Sequence, residues 1–177
     1  GVINDNDRTN IGCGIPDLTY GLTVNLNWKN FDLTIFGTGV AGNEIFPTSF
    51  RTDRPSCNTY SYYWKNSWKE GQDNSKAKFP AANKWTQEAF SSTLTVFDGS
   101  YFKIKQIQLG YNLPKNLLKK VSLESCRVFA SLDNFFTFSK YIGLDPEVTT
   151  SGGTSSGIDM GTYPTAKQVI FGVNLSF

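Results

Sequence analysis

The sequence contains no histidine. That removes the side chain best suited to acid–base work near neutral pH, and with it Ser-His triads and imidazole metal sites. Cysteine is scarce: Cys13, Cys57 and Cys126 match no metal-ligand spacing. Cys13 and Cys57 both fall in segments that read as loops on one side. A disulfide between them fits the sequence, and three free thiols are the expectation we favour. No apolar run approaches the ~18 residues of a membrane helix. This excludes helical spans but not β spans, whose inward-facing residues dilute hydropathy. A net charge of +2 is too small to point to nucleic acid. No signal peptide is visible, and the opening Gly1-Val2-Ile3-Asn4-Asp5 reads as the middle of a longer polypeptide.

Aromatic residues and alternation are what the chain has. Val169, Phe171, Val173, Leu175 and Phe177 alternate with Gln168, Ile170, Gly172, Asn174 and Ser176. This predicts a strand with one apolar face and one mostly polar face. Leu18 to Trp28 alternates in the same way and has the length of a tilted membrane strand, ~9–11 residues. Lys29-Asn30 then forms a two-residue turn, with Asn30 expected to supply any positive φ. Trp28 and Phe31 share a face, which Leu33 and Ile35 continue. Phe102 to Tyr111 is a third strand with Ile107, Leu109 and Tyr111 on one face. Lys103 and Lys105 place its upper end outside the apolar layer. Asn112-Leu113-Pro114 breaks it, and Lys115 to Lys120 suit one helical turn. Glu124 to Phe138 is strand again, with Cys126, Val128, Ala130 and Leu132 opposite Arg127, Ser131 and Asp133. Phe135, Phe136 and Phe138 interrupt the alternation, which predicts a bulge or an aromatic rim there.

The connections carry a topological argument. Ala41–Thr95 and Tyr141–Pro164 are long; Lys29–Asn30 and Asn112–Leu123 are short. Outer-membrane barrels alternate long extracellular loops with short periplasmic turns. With a periplasmic C-terminus, every long loop falls outside, and Trp28, Phe31, Tyr111 and Phe177 gather at the periplasmic level as an aromatic girdle. A β-sandwich would carry the alternation but has no reason to align these aromatics. The reading is therefore all-β: five antiparallel strands of a transmembrane barrel. Membrane barrels need about eight strands or more, so we expect these five to belong to a larger one.

Several motifs extend this reading: Gly1-Val2-Ile3-Asn4-Asp5-Asn6-Asp7-Arg8 with Ile11-Gly12; Trp28-Lys29-Asn30-Phe31-Asp32-Leu33; Asp98-Gly99-Ser100-Tyr101-Phe102-Lys103-Ile104-Lys105; Leu109-Gly110-Tyr111-Asn112-Leu113-Pro114; Asp133-Asn134-Phe135-Phe136-Thr137-Phe138; Tyr141-Ile142-Gly143-Leu144-Asp145-Pro146-Glu147; Gly161-Thr162-Tyr163-Pro164; and the terminal Phe177. In this order the chain resembles the C-terminal end of SusC/RagA-type TonB-dependent outer-membrane transporters. The resemblance implies a barrel of about 22 strands with an N-terminal plug. Residues 1–177 would be its C-terminal part, without the plug and earlier strands. It further implies import of oligosaccharides or peptides powered through TonB, a SusD-like lipoprotein lid, and outer-membrane lipid around the wall. Gly172, Leu175 and Phe177 match the terminal signal read by the barrel-assembly machinery. Rival readings are a passive porin and a secreted carbohydrate-binding β-sandwich.

Candidate site residues follow. Tyr60, Tyr62, Tyr63, Trp64 and Trp68 are suited to stack on sugar rings or meet a lid, and equally to pin a long loop onto its neighbours. Asp32, Arg127 and Asp133 are lumen-facing candidates, although a polar lumen accommodates them without any specific role. Asn4, Asp5 and Asp7 look like the tail of a calcium loop whose upstream acids are missing. We expect no cofactor on this chain beyond calcium in the extracellular loops or lid. Asp145 and Glu147 lack an acid–base arrangement, so no enzyme activity is expected.

Overall fold

The computed structural model describes residues 4–49, 51–54, 57–118, 123–147 and 156–177. In chain order the strands are β1 (Leu18–Trp28), β2 (Phe31–Ala41), β3 (Glu44–Pro47), β4 (Phe97–Asp98), β5 (Tyr101–Asn112), β6 (Ser125–Ser139), β7 (Ile158–Asp159) and β8 (Gln168–Ser176). Short helices are α1 (Ser61–Asn66), α2 (Gln87–Phe90) and α3 (Lys115–Leu118). The helical turn expected to reach Lys120 is described only to Leu118; Lys119 and Lys120 lie outside the described residues. The chain divides into two compact units: a sheet unit of Leu18–Ala41, Tyr101–Ser139 and Thr165–Phe177, and a loop unit of Gly1–Asp17, Gly42–Ser100 and Lys140–Pro164.

The sheet unit is a five-stranded meander in the order β1-β2-β5-β6-β8, antiparallel throughout. Its register sorts the side chains by polarity. Trp28, Phe31, Tyr111, Val128 and Val173 lie in one cross-strand row; Leu26, Leu33, Leu109, Ala130 and Phe171 form the next on that face; Val24, Ile35, Ile107, Leu132 and Val169 form a third. The opposite face carries rows such as Asn25, Thr34, Gln108, Ser131 and Ile170. The apolar face is uncovered within this unit: Phe171 is 79% exposed. A water-soluble sheet would have to bury such a face, whereas lipid accepts it as it stands. The unit is one continuous meander, unlike the paired sheets of the sandwich alternative.

Two local expectations are corrected. The positive φ of the β1–β2 turn falls on Lys29 (φ 54°), not Asn30. In a two-residue hairpin loop the left-handed conformation can belong to the first central residue, whatever its propensity. Lys29 Nζ then lies 4.8 Å from the Trp28 ring centre. The upper end of β5 also stays within the apolar pattern. The register shifts between Phe36 and Gly37 and between Ile104 and Gln106, which leaves Lys105 as an extra residue against β2. That bulge reverses the alternation. Phe102 and Ile104 therefore join the apolar face opposite Gly39 and Gly37, while Lys103 pairs with Thr38 and Thr137 and is buried. The irregularity expected near Phe135 adjoins it on β6, where Asn134 (φ 60°) and Phe135 together stand against Lys105.

The loop unit is more ordered than its composition suggested. β3 pairs with β4 antiparallel and with β7 in parallel. Ile45, Tyr63, Phe79, Phe90 and Tyr141 are buried. Tyr63 sits among Phe79, Trp85 and Phe97 with ring centres 4.9, 5.7 and 6.0 Å away. Apolar residues spaced irregularly along Ala41–Thr95 thus meet in one aromatic core. Tyr141 Oη donates to Asp159 Oδ2 at 2.6 Å, and Asp159 Oδ1 accepts from Gly161 N at 2.7 Å. This clamp joins the Tyr141–Glu147 and Gly161–Pro164 motifs. Burial, followed by the neighbouring Asp159, pushes the Tyr141 phenol far above its ordinary value.

Candidate functional site

On the polar face of the sheet, Asp32 and Arg127 form an ion pair across the intervening strand. Arg127 Nε donates to Asp32 Oδ1 at 3.0 Å, and Nη2 donates to Asp32 Oδ2, giving a bidentate fork. Asn112 Nδ2 approaches Asp32 Oδ1 at 3.4 Å. Asp32 is on β2 and Arg127 on β6, so the pair passes over β5. The residue beneath it is Gly110, which is directly opposite both Asp32 and Phe129. A Cβ there would stand 2.5 Å from both Asp32 carboxylate oxygens and collide with Arg127 Nη2. The glycine of the Leu109–Pro114 motif is therefore a gap that lets one salt bridge tie three strands. The Phe129 ring covers Gly172 on β8, and the Arg127 guanidinium lies 5.2 Å from that ring's centre. Asp133 sits elsewhere on this face, opposite Gln106 and Gln168, and accepts from Ser131 Oγ at 2.5 Å.

Gly110→Ala is expected to force the fork apart and cost the full-length barrel about 1–3 kcal/mol. Urea unfolding of Gly110→Ala, Asp32→Ala and the double variant checks this. The two losses should be far from additive, because both variants remove the same interaction.

The aromatic cluster in the loop unit separates into two parts. Tyr62 and Tyr63 turn inward: Tyr62 meets Phe79 at 5.7 Å and Phe97 at 6.1 Å, and Tyr63 is 2% exposed. Burial pushes the Tyr63 phenol well above its ordinary value, and burial also raises Tyr60, which is half-buried. Trp64 and Trp68 turn outward, 57% and 47% exposed. Tyr62 and Tyr63 thus pin the loop onto its own neighbours, as the packing reading expected, while Trp64 and Trp68 remain exposed.

Trp28, Phe31 and Tyr111 stack in one row, with ring centres 6.4 and 4.7 Å apart. Phe177 is not in that row; it lies beyond β8, past Leu175, which pairs with Cys126. Barrel strands tilt by about 35–45°, so a cross-strand row is not a plane of constant depth. Near the N-terminus, Asp7 Oδ2 accepts from Asn4 N at 2.7 Å and Asn4 Oδ1 accepts from Asn6 N at 2.9 Å. These oxygens serve their own turn, and the Asp5 side chain is outside the described residues. Among the described residues no group of three or more His, Cys, Asp or Glu side chains gathers to hold a metal ion. All three cysteines are free thiols, with Cys126 buried and the other two exposed.

Sequence reasoning missed Gly110 and Phe129. The hairpin register placed Asp32, but nothing in the sequence alone said which β5 residue would lie beside it. It also missed the Arg51–Asp53 pair of the loop unit, with Nη2 to Oδ2 at 2.5 Å. Hydrogen bonding from Arg51 holds the Asp53 carboxyl below its usual range.

Over its whole length the chain is 32% identical to TonB-dependent receptor P3 of Formosa agariphila and 30% identical to TonB-dependent receptor SusC of Bacteroides thetaiotaomicron. Its fold matches the RagAB peptide importer in the open-open state, with a TM-score of 0.71 and 24% identity over 92% of this chain and 17% of that one. The closed-closed state gives 0.71 and 23% over 93% of this chain and 18% of that one. The chain is a SusC/RagA-like segment of a TonB-dependent receptor. It spans 18% of the P3 receptor and 17% of SusC. No family model matches it. As a SusC/RagA-like segment it belongs to the bacterial outer membrane, and its meander is a stretch of β-barrel wall. The relatives it matches are receptors and transporters rather than enzymes.

Proposed function

We propose that this SusC/RagA-like chain forms wall strands and extracellular loops of an active importer. The importer takes up oligosaccharides or peptides, draws its energy through TonB, and works with a SusD-like surface lipoprotein as a lid. The observation that carries this is the two-faced sheet: an apolar side suited to lipid, a polar side suited to a lumen, and both long connections leaving the same strand ends. Likeness to SusC and to the RagAB peptide importer supports the energy source and the lid. In this reading the polar face with Asp32, Arg127 and Asp133 borders the lumen, where the Asp32–Arg127 fork braces the wall. The row of Trp28, Phe31 and Tyr111 meets the periplasmic headgroup layer.

The test is uptake of labelled oligosaccharides and peptides by cells carrying the full-length protein, with and without functional TonB. Uptake that stops when TonB is disabled is the expected result. Uptake that continues unchanged would mean a passive porin. Gly172, Leu175 and Phe177 are read here as the signal for barrel assembly. Phe177→Ala in the full-length protein should empty most of it from the outer membrane, measured by immunoblot of membrane fractions, while transcript levels hold.

A further inference from the structure

We propose that the cleft beside Trp64 and Trp68 binds anionic oligosaccharides, chains of sugar rings bearing uronate or sulfate groups. This rests on the import reading above and names a substrate class for it. The cleft is a groove open to solvent, with a volume of about 950 Å³. Its two indoles are 57% and 47% exposed, while Tyr62 and Tyr63, from the same segment, turn into the core. A broad flat apolar ring is the natural partner for the C–H face of a sugar.

The platform is held before any ligand arrives. Trp68 N donates to Phe79 O at 3.0 Å, and Ser67 Oγ donates to Tyr63 O at 2.6 Å. Asn74 closes the adjoining loop: its Oδ1 accepts from Lys69 N at 2.7 Å, and its Nδ2 donates to Lys69 O at 2.8 Å and Gln72 O at 2.9 Å. A fixed surface loses less entropy on binding.

Charge selects the ligand. Lys69, Lys78 and Lys84 line the cleft against one carboxylate, Glu70. Lys69 Nζ lies over the Trp64 ring, 5.2 Å from its centre, so a cation is built into the platform and a sugar must share that indole with it. A neutral glycan gains nothing from this surplus; a uronate or sulfate does. An acidic peptide would share the charge. However, two exposed indoles in one cleft suit the flat C–H faces of successive sugar rings better than the acidic side chains of an extended peptide.

The experiment uses the full-length protein from outer membranes in detergent, with any co-purifying lipoprotein retained. Hexagalacturonate, a sulfated hexasaccharide, maltohexaose and hexaglutamate are titrated by calorimetry and tryptophan fluorescence. At least one anionic sugar should bind about tenfold or more tighter than maltohexaose and hexaglutamate. The Trp64→Ala/Trp68→Ala variant should weaken it about tenfold, as expected for loss of stacking. Lys78→Gln/Lys84→Gln should weaken it and flatten its salt dependence. Equal binding of maltohexaose, tighter binding of hexaglutamate, or unchanged binding by the tryptophan variant would each overturn the proposal. Outer-membrane levels of each variant confirm folding. TonB-dependent uptake separates the two ideas: if it persists without selective binding, the cleft proposal falls and the importer stands. Selective binding with TonB-independent uptake does the reverse.

Discussion

Replacing Tyr63 with alanine is expected to cost the loop unit about 3–5 kcal/mol, the range for emptying a large aromatic from a core. Tyr63 is the aromatic around which this unit is built. It is 2% exposed and meets Phe79, Trp85 and Phe97 edge-on. Nothing nearby is placed to refill the space, because Phe79 and Trp85 already contact one another at 5.9 Å. Tyr63→Phe separates ring from hydroxyl. The Tyr63 Oη is buried with no hydrogen-bond partner among the described residues. A buried unsatisfied hydroxyl destabilises, so Tyr63→Phe should be neutral or should stabilise the unit by about 1 kcal/mol. Hydrogen exchange on the full-length protein measures both. Protection across residues 61–66 and 87–90 should collapse for Tyr63→Ala and hold or rise for Tyr63→Phe. If Tyr63→Phe loosened the unit as much as alanine does, the hydroxyl would have a partner elsewhere in the whole protein, and the packing argument would fail.

The second large effect concerns which face of the sheet meets lipid. Val24 lies in the central apolar row with Ile35, Ile107, Leu132 and Val169. Val24→Lys should cost about 2–4 kcal/mol if this row is near the membrane midplane. The neighbouring Thr23→Lys is the control. Thr23 pairs with Phe36 and shares a row with Gln106, Asp133 and Gln168 on the opposite face. A lysine there reaches a polar side and should cost little. Equilibrium unfolding of the full-length barrel in bilayers gives both values. A larger loss for Thr23→Lys than for Val24→Lys would reverse the assignment of faces. Depth sets the size of the effect. Leu26→Lys, two residues nearer the β1–β2 turn on the same strand, should cost less than Val24→Lys if the turn end meets the headgroups.

Strand alternation is a local property, and the sequence by itself determined it. Period-two patterning placed β1, β2, β8 and the lower part of β5. The two-residue turn then locked Trp28 to Phe31 and every pair above them, because a one-residue slip would exchange the faces. The long and short connections were legible in the same way, as was the order of motifs. What the sequence did not determine depends on which distant residues become neighbours. Lys103 read as a marker of the polar edge, yet the bulge at Lys105 turned it to the other face and carried Phe102 and Ile104 into the apolar one. A single extra residue is invisible in composition and decides the side of everything after it. In the sequence Gly110 stood only as one member of the Leu109–Pro114 motif. Only the register of three strands shows it as the gap beneath the Asp32–Arg127 fork. The loop unit carries the same lesson. Ile45, Tyr63, Phe90 and Tyr141 follow no period, because a core assembled from irregular segments is chosen by shape and burial in three dimensions. Tertiary structure alone sent Tyr63 inward and left Trp64, the next residue, facing solvent.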